Sequence, residues 1–489
     1  MNFLKTYKLP LFFTLVCCFL YWSFTYGLDR SDFIKLITLY GALFILSWQL
    51  IKFLGHQFWV LAGIGIVFRL IAFPSIPNLS QDFYRFIWDG RLLVQGVNPY
   101  LFTPEQFINN VPPKTLLSSW SLDSWFAITM HEADTLFKGM GSLNASHYSN
   151  YPPVNQLCFA IAGFFSGKSI LGSVIILRII TILADIGILY FGKKLLEKLQ
   201  LPTTTIFWYF INPFIIIELT GNLHFEGVML SFLIWGLYLL HQKKWFWAAV
   251  LIGLSISVKL IPLLLLPVFL NYFIKKNTVI QNEAKCNEES QELKKKIPLG
   301  ITKLILFYLV IIATILITFA PFLSSVFIKN FTTTISLWFQ NFEFNASIYY
   351  IIRWIGFKTV GWNIIGTVGK ILPIIVILFL LGISFFRKHN TTQQLITGLL
   401  FGITFYFLFS TTVHPWYVAT PLVLSVFTKY RFPIVWSALV MLSYSAYEAD
   451  GFNENLWLVS IEYTVVILYA MYEISNSQEL GSEQLPKSL

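Results

Sequence analysis

The chain has 489 residues, of which 56% are hydrophobic, 18% are aromatic and only 12% are charged. Because soluble domains carry about 25% charged residues, this composition excludes an ordinary soluble protein and indicates an integral membrane protein. Several apolar runs reach the roughly 20 residues that a transmembrane helix needs, and runs of this length exclude a transmembrane barrel. The net charge of +10 comes from Lys and Arg in short loops between apolar runs, which indicates the positive-inside pattern rather than nucleic-acid binding.

Three apolar segments come first in the chain, near residues 9–27, 33–54 and 57–74. Residues 1–74 are therefore predicted to form an N-terminal group of transmembrane helices. Lysines precede the first segment, but no small-residue cleavage site follows it. We expect a retained span with its basic end inside, rather than a cleaved signal peptide.

The third span ends outside under this topology, so residues 75–167 are predicted to form a large extracytoplasmic loop that carries interfacial helices. The apolar part at 154–167 is too short to cross a bilayer comfortably, and we expect a re-entrant or surface helix there. Residues 168–274 are predicted to return to transmembrane helices. The run from 245 to 274 would be about 45 Å long as one helix, so we predict two short helices that meet near Lys259 and Pro262.

The rest of the chain is predicted to contain a polar cytoplasmic loop, a second group of spans and a tail. Residues 275–298 are expected to form the flexible loop, and residues 299–474 the C-terminal transmembrane helices with an outer loop at 322–362. Residues 475–489 are expected to be a cytoplasmic tail. The predicted fold is an all-α polytopic bundle of about 12–14 spans.

Two acids and two arginines occur directly after the third span, between Gln81 and Arg91. In a helix, Asp82, Arg85 and Asp89 share one face, so this stretch predicts an interfacial helix with an ionised stripe. Ionisable groups at membrane depth are costly, which makes the stripe a site hypothesis. The alternative is that Arg85 and Asp89, four residues apart, simply neutralise each other.

Five further polar clusters fall on the same side of the membrane under this topology. Their candidate site residues are Tyr151, Asn222, His224, Glu226, Lys259, Asn345, Arg353, His414 and Tyr417. Several have a purely structural alternative. His224 and Glu226 could cap or bridge helices, and Lys259 could extend to the headgroup region. His414 could form a hydrogen bond within the bundle.

A carboxylate beside cations at the outer face of a membrane suits chemistry on a lipid phosphate. The carboxylate would act as general base on an acceptor hydroxyl, while Arg, Lys and His would stabilise the charge that develops on the leaving phosphate. Trp and Tyr would provide flat faces for sugars. We expect no cofactor and no metal, because His131, Glu132 and Asp134 are accompanied by no second histidine at helical spacing.

Seven short motifs occur in one order over nearly the whole chain. They are Asp82-x-x-Arg85-x-x-Trp88-Asp89-Gly90, Gly96-x-Asn98-Pro99-Tyr100, Tyr151-Pro152-Pro153, Asn212-Pro213 with Gly221-Asn222-x-His224-x-Glu226, Lys259-x-x-Pro262, Phe344-Asn345-Ala346-Ser347 and His414-Pro415-Trp416-Tyr417. With this set the chain resembles the GT-C class of multi-span glycosyltransferases, which use polyprenyl-phosphate sugars. It is most similar to the bacterial mannosyltransferase-like branch related to the first GPI mannosyltransferase.

The resemblance implies an inverting transfer of a hexose, mannose by analogy, with the lipid phosphate as leaving group. It implies a catalytic base in the first large outer loop, which falls on Asp82, with Asp89 as the rival. Arg85, Lys259 and Arg353 would bind the donor phosphate. The residues expected to bind the sugar or the acceptor are Asn222, His224, Glu226, Asn345, His414, Tyr417 and Tyr151.

The partners expected from the resemblance are a polyprenyl-phosphate sugar donor, a glycan or lipid acceptor and membrane lipids, with no nucleic acid. The expected location is a bacterial inner (plasma) membrane with the active site outside, and a eukaryotic endoplasmic reticulum stays open. One alternative function is a transporter or flippase of lipid-linked sugars, for which the chain shows no internal repeat. Another is a non-catalytic membrane scaffold, which would not need the ionised face at Asp82.

Overall fold

The computed structural model of the protein is almost entirely helical, and it describes residues 2–111, 125, 128–279, 289–340, 342–387, 389–448 and 451–482. Two short antiparallel strands, β1 (Tyr447–Glu448) and β2 (Gly451–Phe452), form a small hairpin near the C-terminal end. The predicted all-α polytopic class is confirmed.

The helices of the described residues are numbered here in chain order. In the first half they are α1 (Asn2–Gly27), α2 (Phe33–Leu54), α3 (Phe58–Ile71), α4 (Asp82–Val94), α5 (Pro104–Ile108), α6 (Ala133–Ala145), α7 (Pro153–Ser166), α8 (Ile170–Lys198), α9 (Phe207–Phe210), α10 (Pro213–Ile215), α11 (Glu226–His241) and α12 (Trp245–Val258). In the second half they are α13 (Ile261–Leu264), α14 (Phe269–Val279), α15 (Glu289–Phe319), α16 (Ser325–Gln340), α17 (Ile348–Thr359), α18 (Ile365–Phe386), α19 (Thr392–Phe409), α20 (Ala419–Ser425), α21 (Phe432–Leu439) and α22 (Leu456–Ser482).

Among the described residues, seven helices are long and apolar enough to cross a membrane. They are Tyr7–Gly27, Phe33–Leu54, Ile170–Lys198, Gly300–Phe322, Ile365–Phe386, Thr392–Phe409 and Leu456–Asn476. A bent pair and four shorter apolar helices, Phe58–Ile71, Pro153–Ser166, Trp245–Val258 and Phe432–Ala446, bring the apolar segments to the lower end of the expected number of spans. Which of the shorter segments cross the membrane stays a prediction.

Helical structure extends into segments that were expected to be irregular. The predicted loop at 275–298 is helical up to Val279 and again from Glu289, and residues 280–288 lie outside the described part of the chain. Lys and Glu are good helix formers, so this polar composition does not oppose helix. In the same way, the predicted outer loop at 322–362 contains α16 and α17. The predicted tail is helical as far as Ser482, beyond which the chain lies outside the described residues.

The run from 245 to 274 is divided near Lys259, as predicted. Helix α12 ends at Val258, and Lys259 has extended backbone angles of φ −145° and ψ 141°. Pro262 lies in the first turn of α13, where its missing N–H costs no helical hydrogen bond. The backbone therefore presents the Lys259 side chain at a break between two helices.

A second helix break lies between α10 and α11, where the chain bends by 114°. A π-helical turn, Ile216–Gly221, precedes the bend. The carbonyl groups that a broken helix leaves unpaired need other donors. Arg178 of α8 donates to the carbonyl oxygens of Thr220 and Gly221 at 3.0 and 2.8 Å, and to those of Phe73 and Ser75 at 2.9 and 2.7 Å. One buried guanidinium thus joins the bend to the segment that leads into α4.

Helices α4 and α7 cross with their backbones in contact at Gly90. A Cβ atom at Gly90 would lie 2.1 Å from the carbonyl oxygen of Phe159, and one at Gly163 would lie 2.8 Å from the carbonyl oxygen of Gly90. Only glycine permits this approach, because any side chain would overlap backbone atoms that cannot rotate away. The crossing holds the ionised stripe of α4 against α7.

A buried ion pair also fixes the position of α4. Asp89 is fully buried and its Oδ1 accepts from Arg85 Nε at 2.8 Å. Its Oδ2 accepts from Ser149 Oγ at 2.5 Å and from Gln156 Nε2 at 2.9 Å. Arg85 also donates to the carbonyl oxygens of Asn144 and His147 at 2.8 and 2.9 Å. The pair therefore ties α4 to the chain that joins α6 and α7.

We predict that Gly90→Ala destabilises the protein. The new methyl group would clash with the Phe159 carbonyl, so the free energy of unfolding should fall by about 3 kcal/mol, at the upper end of the cost of overpacking. Gly63→Ala is the matched control, because a Cβ at Gly63 of α3 meets nothing within 4 Å. Denaturant titration in mixed micelles measures both changes. Equal stability of the two variants would contradict the close crossing.

We predict that Asp89→Asn destabilises the protein as well, because it leaves the buried Arg85 guanidinium without a counter-charge. Breaking a buried pair costs about 3–5 kcal/mol. Asp134→Asn, which changes an exposed acid of α6, should alter the free energy of unfolding by less than about 0.5 kcal/mol. The same titration measures both, and a stable Asp89→Asn variant would show that the pair does not anchor α4.

Candidate functional site

The carboxyl group of Asp82 lies at the first turn of α4 and is half-buried. Its Oδ1 accepts a hydrogen bond from Asn144 Nδ2 at 3.3 Å, whereas its Oδ2 accepts none from the described residues. Burial raises the pKa of this carboxyl above its ordinary value, and the charge of Lys259, the bond from Asn144 and the charge of Arg30 oppose that rise. Asp82 therefore has a proton-accepting oxygen that its protein neighbours do not use.

Lys259 faces this region from the break between α12 and α13. Its Nζ donates to Glu226 Oε1 in an ion pair whose acid is fully buried, while the lysine side chain is 18% exposed. Nζ also lies 5.8 Å from the centroid of the Tyr417 ring. An ammonium group has three N–H donors, so pairing with one carboxylate leaves donors for an anion from outside.

Three rings stack beside the ion pair. The ring centroids of His224 and Trp416 are 3.6 Å apart with an interplanar angle of 15°, and those of Trp416 and His414 are 4.5 Å apart with an angle of 5°. Burial, together with the charges of Lys259 and Arg30, lowers the pKa of His414 to about 3. His414 is therefore a neutral imidazole at pH 7, able to exchange hydrogen bonds with a hydroxyl but adding no charge.

A carboxylate and two tyrosines continue the wall next to the stack. His224 Nε2 lies 3.5 Å from Glu218 Oε2, and Tyr444 Oη donates to Glu218 Oε1 at 2.8 Å. The Arg30 guanidinium lies over the Tyr447 ring, 3.3 Å from its centroid, and 6.0 Å from that of Tyr444. The site thus combines acids, two cations and aromatic faces.

Tyr151 borders the same region from the connection between α6 and α7. Its ring contacts those of Phe86 and Phe159, at centroid distances of 5.0 and 5.6 Å, and the charge of Asp82 acts on its hydroxyl. Burial raises the pKa of Tyr151 well above its ordinary value, so its phenol stays protonated. Seven of the predicted site residues therefore lie in one region of the structure: Asp82, Tyr151, His224, Glu226, Lys259, His414 and Tyr417.

Other predicted residues have contacts that hold the fold. Arg85 and Asp89 form the buried pair described above, and Asn222 Oδ1 accepts from the backbone N–H of Leu79 at 3.0 Å. Asn222 Nδ2 donates to the Ile217 carbonyl at 3.1 Å, so both ends of this amide are engaged. These residues position α4 and the bend before α11 rather than face Asp82.

Arg353 and Asn345 lie in a neighbouring polar cluster. Arg353 donates to Glu343 Oε1 at 2.7 Å and stacks over the Tyr350 ring at 4.3 Å. Asn345 donates from its backbone N–H to Glu454 at 2.6 Å and from Nδ2 to Glu462 at 3.3 Å. This cluster is connected to the site by a backbone bridge between Phe344 and Thr412, two residues before His414. The ring centroids of Phe344 and His414 are 5.3 Å apart.

The structure adds charged residues that the sequence patterns did not single out. Arg30 follows α1 in a short polar turn with Asp29 and Asp32, which looks like an ordinary solvated connection. Arg178 is buried within the apolar run of α8, where its charge alone was the signal. The described residues contain no group of three or more His, Cys, Asp or Glu side chains that could hold a metal ion, and Glu132 pairs instead with Arg91 at 3.2 Å.

Comparisons with known proteins support a mannosyltransferase relationship. Residues 35–275 match the family described as alpha-(1->6)-mannopyranosyltransferase, N-terminal domain. The chain is also 24% identical over 221 residues to alpha-(1->6)-mannopyranosyltransferase A of Mycobacterium tuberculosis, which covers 43% of this chain and 38% of that relative. The chain therefore aligns with well under half the length of the curated relative. No solved structure matches the chain.

The family match includes the bend at Glu218–Glu226 and ends before the Asn345 and His414 clusters. The family and the curated relative are both described as mannopyranosyltransferases. They agree with the prediction of a glycosyltransferase of the mannosyltransferase type. Over residues 35–275 the chain is similar to alpha-(1->6)-mannopyranosyltransferases, and the GT-C-like mannosyltransferase resemblance seen in its motifs is confirmed.

Proposed function

We propose that the protein is an inverting mannosyltransferase that takes mannose from a polyprenyl-phosphate donor. The acceptor is a glycan or lipid at the extracytoplasmic face, and the membrane is a bacterial inner membrane. The family and the curated relative support mannose as the sugar. The relative's name specifies an alpha-linked product, so an inverting reaction of the same kind would require a β-linked donor.

One observation carries the proposal: the Asp82 carboxyl has an unengaged oxygen and is acted on by two cations, Lys259 and Arg30. A base must accept a proton, and a lipid phosphate must be held by positive charge nearby. Asp89 is a weaker candidate, because both of its oxygens already accept hydrogen bonds from buried donors. The geometry therefore supports Asp82 as the base and Asp89 as the residue that positions its helix.

The proposed step balances as a single displacement. Asp82 takes the proton of the acceptor hydroxyl while the hydroxyl oxygen forms a bond to the anomeric carbon of mannose. The bond between that carbon and the phosphate oxygen breaks, and polyprenyl phosphate leaves with the electron pair. Lys259 stabilises the charge on the leaving phosphate. No metal ion is needed in this scheme.

The remaining gathered residues have proposed roles in binding. His224 and His414 offer imidazole groups to sugar or acceptor hydroxyls, and Trp416 between them presents a flat apolar surface. Tyr151 and Tyr417 line the same region. Glu226 holds Lys259 in place through their ion pair. We propose no direct phosphate contact for Arg85, which is buried against Asp89 and two carbonyl oxygens, or for Arg353, which lies with Glu343 in the neighbouring cluster.

We predict that Asp82→Asn lowers the rate of mannose transfer about 10²- to 10⁴-fold, the usual contribution of a general base. The assay supplies purified protein in nanodiscs with labelled polyprenyl-phosphate mannose and candidate acceptors. Asp134→Asn is the matched control and should retain the wild-type rate. Transfer that survives unchanged in Asp82→Asn would overturn the assignment of the base, and lipid translocation without transfer by the wild type would favour a flippase.

We predict an acidic limb in the pH dependence of kcat/KM that lies above the ordinary aspartate pKa of about 3.9. The base must be ionised, and burial favours the neutral acid, so activity should rise with pH through the raised pKa of Asp82. The Lys259 charge lowers that pKa, so Lys259→Gln should move the limb to higher pH. Lys358→Gln, at an exposed lysine of α17, should leave it in place. A limb that moves to lower pH in Lys259→Gln would contradict this electrostatic coupling.

A further inference from the structure

Arg30 is a cation at the site whose charge is not matched by a neighbouring acid. It lies between α1 and α2, and among the described residues no carboxylate lies within ion-pairing distance of its guanidinium. Its Nε is shielded from solvent and has no hydrogen-bond partner among the described residues. Burying a donor without a partner is costly, so a partner from outside the chain would stabilise the arrangement.

The guanidinium is held by stacking, which leaves its edge available. It lies 3.3 Å from the centroid of the Tyr447 ring, an arrangement in which cation–π attraction holds the plane of the group. The N–H donors of a guanidinium point outward in that plane, so stacking does not consume them. This geometry suits bidentate binding of a phosphate.

The position of Arg30 connects it with the proposed site. The neighbouring Tyr444 donates to Glu218, and Glu218 lies 3.5 Å from His224, the first ring of the stack. The charges of Arg30 and Lys259 both act on Asp82 and on His414. The two cations thus face one region from different elements, the α1–α2 connection and the α12–α13 break.

The other arginines near the site each donate to acceptors of the chain, although Nη2 of Arg85 is also buried without a partner among the described residues. Arg85 pairs with Asp89 and with two carbonyl oxygens, and Arg353 pairs with Glu343. Arg178 donates to four carbonyl oxygens. Arg30 differs from all three, because its described contacts are the two aromatic rings.

We infer that Arg30 and Lys259 together bind the phosphate group of the lipid-linked donor, with Arg30 as the bidentate partner. This inference rests on the proposed function and assigns a residue to its donor site. Residue 30 lies outside the stretch that matches the known family, residues 35–275, so the comparison assigns it no role. The phosphate would supply the partner that the Arg30 Nε lacks.

The test measures binding rather than turnover. Wild type and Arg30→Gln in nanodiscs are titrated with a short polyprenyl monophosphate and with the corresponding neutral polyprenol. Loss of a charge-assisted pair should weaken phosphate binding about 10- to 100-fold and leave polyprenol binding unchanged. Arg30→Lys keeps the charge without the planar fork and should show a smaller loss, which guards against a folding defect.

Arg387→Gln is the matched control, because Arg387 also stacks on an aromatic ring, Phe401, at 4.8 Å and lies on the connection between α18 and α19. It should bind polyprenyl monophosphate as the wild type does. Arg353→Gln is titrated in the same way. Unchanged phosphate binding in Arg30→Gln, or a loss of phosphate binding only in Arg353→Gln, would overturn the inference.

A third ligand separates this inference from the proposed function. If the wild type binds GDP-mannose but not polyprenyl monophosphate, and Arg30→Gln loses that binding, the phosphate site stands and the lipid-linked donor is wrong. If the wild type binds polyprenyl monophosphate and transfers mannose while Arg30→Gln does both equally well, the proposed function stands and the inference is wrong. Binding of neither ligand by the wild type would overturn both.

Discussion

The buried pair of Arg85 and Asp89 is the interaction on which the site depends. Ions inside a protein are stable only when their remaining hydrogen-bonding capacity is satisfied, and here the carboxylate accepts from three donors while the guanidinium also donates to two carbonyl groups. The acceptors and donors come from α4, from the segment after α6 and from α7. The network therefore fixes one orientation of α4. Asp82, two helical turns before Asp89, takes its position from that orientation.

A division among the cations follows from the same principle. Arg85 and Arg178 donate to backbone carbonyl oxygens of the chain and stabilise its irregular parts, where helices end or bend. Lys259 and Arg30 retain donors for an outside anion, the first because an ammonium exceeds the needs of one carboxylate and the second because it is stacked rather than paired. The cationic side chains whose donors bind the chain therefore stabilise the site, whereas those that keep donors for an outside anion can bind a substrate.

The helical class and the break near Lys259 could be predicted from the sequence, because the length of an apolar run and the position of a proline are local properties. The grouping of Lys259 with Glu226 and of His224 with His414 was only implied by the order of motifs, since contact between distant segments depends on how the helices pack. For the same reason, the helical pattern placed Arg85 and Asp82 on one face and predicted both as site residues. Their separation into an anchor and an unengaged acid depends on Ser149 and Gln156, which lie more than sixty residues later.

The role of Arg30 could not be predicted from the sequence at all. In the sequence Arg30 lies between Asp29 and Asp32, a pattern typical of a solvated turn. In the fold, Asp32 caps the start of α2 and Asp29 accepts from Ser31. The Arg30 guanidinium instead lies over the ring of Tyr447, near the C-terminal end of the chain. A residue more than four hundred positions away decided its environment. No periodicity or motif spacing contains that information.

The central claim is that Asp82 faces the sugar while the donor phosphate lies at Lys259 and Arg30. A cryo-electron-microscopy structure with a non-transferable phosphonate analogue of polyprenyl-phosphate mannose tests this most directly. The account predicts the phosphonate between the Lys259 ammonium and the Arg30 guanidinium, with the Asp82 carboxyl on the opposite side of the anomeric carbon. A phosphonate bound at the Arg353 cluster, or a sugar out of reach of Asp82, would contradict it.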